Sequence, residues 1–149
     1  MNSIKFVYGA LICLLSSCAI HGTHPEGFAP YQQEFRAQDY KAVSPEGVTW
    51  RIHHEKHTPM ADLQFWKDAV RKRMGDAGYN ITDSAFFKAQ GQSGFAFELA
   101  APLGQEDFRY LVGAVPLGTS LIVIEAAGPS EAYLHRKVKI LEALGNISN

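Results

Sequence analysis

The chain has 149 residues and a formal net charge of −1, with 46% of its residues hydrophobic and 19% charged. That length fits one domain, and the balanced charge, with no concentrated basic patch, excludes an electrostatic nucleic-acid binder. Both cysteines, Cys13 and Cys18, fall near the N-terminus, which excludes an intradomain disulfide and a thiolate zinc site in the globular part.

Met1 to Lys5 forms a short, weakly positive start, and Phe6 to Leu15 is an apolar run of secretory length. No later stretch approaches the roughly 18 apolar residues that a spanning helix needs. The run ends in Leu15-Ser16-Ser17-Cys18, which resembles the bacterial lipobox: an aliphatic residue, two small ones, then cysteine. The resemblance implies a signal peptide over residues 1–17, diacylglycerol on the Cys18 thiol, cleavage between Ser17 and Cys18, and a palmitate-type acyl chain on the new amine. Several acyl chains on one residue anchor stably where a single chain is marginal, since each buried methylene contributes about 0.8 kcal/mol. Ala19 follows where the enterobacterial sorting pattern has Asp for inner-membrane retention, so the expected location is the outer membrane, facing the periplasm.

Residues 18–38 are punctuated by Gly22, Pro25, Gly27 and Pro30 and sustain no period, so they read as a lipidated N-terminus and flexible tether. A sandwich domain is expected over residues 39–149. It opens with a hairpin: a strand at 40–43, the turn Ser44-Pro45-Glu46-Gly47, and a second strand in which Val48, Trp50 and Ile52 alternate with polar neighbours. Thr58-Pro59 reads as a helix start, and Leu63, Trp66, Val70, Met74 and Ala77 form one apolar stripe before Gly78.

Four strands are expected next, at 80–89, 94–100, 107–115 and 119–126. Glu98 is expected to face solvent. Leu121-Ile122-Val123-Ile124 is apolar on both sides, which predicts a central strand covered on both faces. Gly128-Pro129 opens a last helix whose stripe reads Leu134, Val138, Leu141 and Leu144, with Ile140 beside it. The order β-β-α-β-β-β-β-α predicts an α+β fold: a largely antiparallel sheet covered by two helices. That order over residues 40–145, with the segment from Phe65-Trp66 to Gly78-Tyr79, resembles the PsbP-like fold shared by small bacterial envelope lipoproteins. A fold of this kind does not by itself fix a function.

The densest chemistry is Arg51-Ile52-His53-His54-Glu55-Lys56-His57. In an extended chain His53, Glu55 and His57 point to one side, and two imidazoles with a carboxylate suit zinc or another first-row metal. The spacing is not H-E-x-x-H, and a solvated strand end explains it more simply, so no metal or other cofactor is assigned. Trp50 and Trp66 read as core, and Arg71-Lys72-Arg73 as a solvated helix face. No nucleophile elbow, P-loop or dinucleotide fingerprint is present. The reading that follows is a lipid-anchored envelope lipoprotein, attached to a membrane, whose domain binds or supports an envelope protein without catalysis. The alternatives are a metal-dependent enzyme using His53–His57 and a periplasmic immunity-type lipoprotein.

Overall fold

The computed structural model describes residues 23–30, 39–103 and 106–147. The expected signal peptide, with Ser17 and Cys18, lies outside the described residues. A seven-stranded sheet carries one helix on each face. Its strands are β1 (Ala29–Pro30), β2 (Asp39–Val43), β3 (Thr49–Lys56), β4 (Asn80–Ala89), β5 (Gln92–Leu103), β6 (Glu106–Leu117) and β7 (Ser120–Pro129). The helices are α1 (Leu63–Asp76) and α2 (Ser130–Leu144). The strands run β1-β2-β3-β7-β6-β5-β4, and every neighbouring pair is antiparallel. The expected α+β class and helix placement are borne out, with the two-residue β1 added at one edge.

The local chemistry accounts for the connections. In the β2–β3 turn the Gly47 amide donates to the Ser44 carbonyl at 3.0 Å, and Gly47 adopts φ +85°, where a side chain would be strained. The Ser44 hydroxyl accepts from the Val48 amide at 3.1 Å. β7 sits at the centre of the sheet, and its Ile122 and Ile124 are fully buried. Register alternation sends Trp50, Ile52, Leu111, Ile122 and Ile124 to the α2 face, and Phe95, Phe97, Leu99, Val112 and Leu121 to the α1 face.

Four expectations are corrected. α1 does not begin at Thr58-Pro59: Asp62 is its cap, and the Asp62 carboxylate accepts from the Phe65 amide at 2.8 Å. On α2 the buried residues are Tyr133, Ile140, Ala143 and Leu144, whereas Leu134 and Val138 are 50% and 65% exposed. The buried stripe therefore passes through Lys137, whose ammonium meets Glu98 at 2.9 Å. Glu98 is accordingly buried under α2 and does not face solvent. Finally, residues 23–30 are packed against the body and are not a free tether. Phe28 lies in the α2-side core, the Trp50 indole donates to the Thr23 carbonyl at 3.1 Å, and Lys139 meets Glu26 at 2.7 Å.

Candidate functional site

α1 contributes no fully buried residue. Its apolar side, Leu63, Trp66, Val70 and Met74, rests on the aromatic half of the sheet formed by β4, β5 and β6. The β3–β7 half of the same face is left uncovered by the helix. A cleft of about 510 Å³ opens between α1 and these strands, within the size range of small-molecule sites. Its apolar part is lined by Trp66, Val70, Val112, Leu121 and Val123, and its polar part by Arg51, His53, Arg73, Tyr110 and Glu125, with the exposed Glu55 and Lys56 at the rim.

Strand register builds the polar part. Arg51 on β3 stands opposite Glu125 on β7, and Asp39 on β2 stands opposite His53. The Arg51 guanidinium donates to Asp39 at 2.7 Å and to Glu125 at 3.3 Å. The other Glu125 oxygen accepts from the Tyr110 hydroxyl. The three strands thereby hold one guanidinium between two carboxylates, with a phenol as a third donor. Burial opposes ionisation of Asp39, but the hydrogen bond and charge of Arg51 outweigh it and hold its pKa below the ordinary carboxylate value. Burial, reinforced by the bond to Glu125, pushes the Tyr110 phenol well above its usual range, so it remains a donor.

His53 lies beneath this network with its side chain 10% exposed. Its Nε2 is 3.5 Å from Glu55 and its Nδ1 is 3.7 Å from Glu125, and Nδ1 has no hydrogen-bond partner. Burial, and then the Arg51 charge, lower its pKa below that of a free imidazole. The Arg51 Nε and the Trp66 indole N–H are also buried without partners.

The structure brings His53 and Glu55 together and takes His57 elsewhere. β3 ends at Lys56, and the chain then turns as the Thr58 amide donates to the Lys56 carbonyl at 2.8 Å. The His57 ring is buried, with Nδ1 2.8 Å from the Gly118 carbonyl and Nε2 2.9 Å from the Ala61 carbonyl. It staples the β3–α1 loop to the β6–β7 turn. Among the described residues, no three His, Cys, Asp or Glu side chains are grouped to hold a metal ion.

Of the remaining candidates, Trp50 is fully buried core, while Trp66 is half-buried at the cleft, with Phe65 edge-on at 5.5 Å. The run Arg71-Lys72-Arg73 divides three ways: Arg71 lies over the Phe97 ring, Lys72 pairs with Asp76, and Arg73 lines the cleft. Sequence reading missed Asp39, Tyr110 and Glu125. The available signal was their polarity on otherwise apolar strand faces, which becomes informative once β3 is known to pair with both β2 and β7. No described helix is long and apolar enough to cross a membrane.

No family model matches the sequence, and no curated protein sequence matches it. Solved structures do. A Pseudomonas aeruginosa protein of unknown function, PA94, described as a candidate regulator, superposes with a TM-score of 0.58 at 10% identity, covering 82% of this chain and 96% of its own. The solution structure of cyanobacterial PsbP (CyanoP) from Synechocystis sp. PCC 6803 gives a TM-score of 0.53 at 11% identity, covering 80% of this chain and 82% of its own. At such identities the shared property is the fold: two helices on an antiparallel sheet, in the arrangement of PsbP.

Proposed function

We propose that this chain is a bacterial envelope lipoprotein, held at the periplasmic side of the outer membrane by acyl chains on Cys18, and that its domain binds another envelope component without catalysis. Leu15-Ser16-Ser17-Cys18 after an apolar run supports the anchor, and Ala19 supports outer-membrane sorting. The observation that carries binding over catalysis is the commitment of the cleft carboxylates. Asp39 and Glu125 are both held by Arg51, and Glu125 also by Tyr110, which favours a fixed binding surface at that end.

Mass spectrometry of protein from its natural host tests the anchor. The expected product begins at Cys18 with its thiol and amine acylated, and Cys18→Ser is expected to leave the membrane fraction. Photo-crosslinking from Lys56, exposed at the cleft rim, in native membranes tests the partner. A recurrent envelope component supports the reading, and an unmodified amino terminus with no crosslinked component overturns it.

A further inference from the structure

The cleft beneath α1 has two unlike ends. Trp66, whose ring is 5.9 Å from that of His57, marks the end near the β6–β7 turn, where Val70, Leu121 and Val123 supply an apolar wall. Arg51, Arg73, Tyr110 and Glu125 mark the other end. At this polar end both Glu125 oxygens already hold donors, and Glu55 stands as an exposed carboxylate at the cleft rim. One Glu125 oxygen is taken by Tyr110 and the other by Arg51, which also holds Asp39. Donors are left over: Arg51 Nε has no partner, and Arg73 lines the cleft with no ion pair among the described residues. A ligand that matches Arg73 and the Arg51 Nε brings acceptors and negative charge, and one that matches the rest brings apolar surface.

We infer that the cleft binds a single-chain amphiphile with an anionic head, its head at Arg73 and Arg51 and its tail along Val70 and Leu121 toward Trp66. This names the ligand class of the site treated above as a binding cleft, and it rests on that reading. It does not depend on the Cys18 anchor.

The two tryptophans supply the measurement. Trp66 lines the cleft, whereas Trp50 is fully buried on the opposite face of the sheet. The full chain carrying Cys18→Ser is titrated with decanoate, decyl maltoside and decyltrimethylammonium, each below its micelle concentration, and tryptophan emission is followed. Decanoate is expected to change the emission saturably and to bind at least tenfold more tightly than either control. Trp66→Phe is expected to abolish the change while calorimetry still records binding. Arg73→Gln is expected to weaken decanoate about tenfold and leave decyl maltoside unaltered, and Val70→Phe, which narrows the tail path, is expected to weaken all three. Equal binding of the three amphiphiles, or no calorimetric binding of decanoate to a folded protein, overturns the inference. If an envelope component still crosslinks in native membranes after that result, the ligand class alone falls. If no component crosslinks but decanoate binds as described, the partner reading alone falls.

Discussion

Lys137 of α2 meets Glu98 of β5 at 2.9 Å, under a helix face that leaves the Glu98 side chain 8% exposed. A second carboxylate, Asp83, lies 3.6 Å from the same ammonium. Removing the cation strands a buried charge, which costs far more than the intact pair contributes. Lys137→Met is expected to destabilise the fold by about 2–3 kcal/mol, at or below the low end for such losses because Lys137 is partly solvated. Glu98→Gln with Lys137→Met is expected to recover part of that loss. Urea denaturation of the two single variants and the double variant measures the coupling, and simple additivity would remove the pair from the account.

The burial of α2 makes a paired prediction. Ile140 is fully buried and Val138 is 65% exposed, although both fit an apolar helical pattern. Ile140→Ala is expected to cost about 2–5 kcal/mol through the cavity it leaves. Val138→Lys is expected to stay within about 0.5 kcal/mol of the parent. Chemical denaturation checks both, and a large loss at Val138 would show that α2 buries a different side.

β7 and the β2–β3 turn approach closely at Gly128, where an added Cβ would stand 2.9 Å from the Val48 Cγ2 and 3.1 Å from its Cα. Val48 is fully buried, so the contact has little room to relax. Gly128→Ala is expected to destabilise by about 1–3 kcal/mol, the usual cost of overpacking. A thermal midpoint equal to the parent's would contradict this.

His53 predicts a response to acid. It is faced by Arg51 and Glu55 on its own strand, by Asp39 on β2 and by Glu125 on β7. Arg73 of α1 lines the same cleft. Burial and the Arg51 charge lower its pKa despite the carboxylates. The unfolded chain, with an ordinary imidazole pKa of about 6.5, therefore takes up the proton first. The stability that His53 contributes as a neutral ring is present above about pH 6.5 and is lost as pH falls through the lower folded value. Urea midpoints are expected to drop between about pH 7 and pH 5, and His53→Asn is expected to flatten that drop. A rise in stability over the same interval would refute the assignment.

The order of elements along the chain was legible where residues declare themselves locally. The turn at Ser44–Gly47 and the doubly apolar β7 both read correctly, and so did the α1 stripe from Leu63 to Met74. What failed depended on distant partners. Leu134 and Val138 have the spacing of a buried stripe, but the charge on Lys137 is drawn inward by Glu98, from a strand that sequence spacing does not bring near it. His57 alternates with His53 only while the chain stays extended, and β3 stops one residue earlier. Thr58-Pro59 has the composition of a helix start, yet the amide that needs a cap is served by Asp62. The Asp39–Arg51–Glu125 network joins three strands, so no single segment carries its signature.

With Cys18 acylated as proposed, the packing of residues 23–30 would set the attitude of the body toward a bilayer. Phe28 and the Thr23–Trp50 hydrogen bond fix this strap on the α2 side of the sheet. Five peptide units separate Thr23 from Cys18, and a fully extended chain of that length reaches no more than about 18 Å. A thiol acylated at Cys18 would thus act as a short stalk attached near α2 and not as a long leash. The lipid side of the protein would be the face opposite the cleft, and the cleft would open toward the aqueous space.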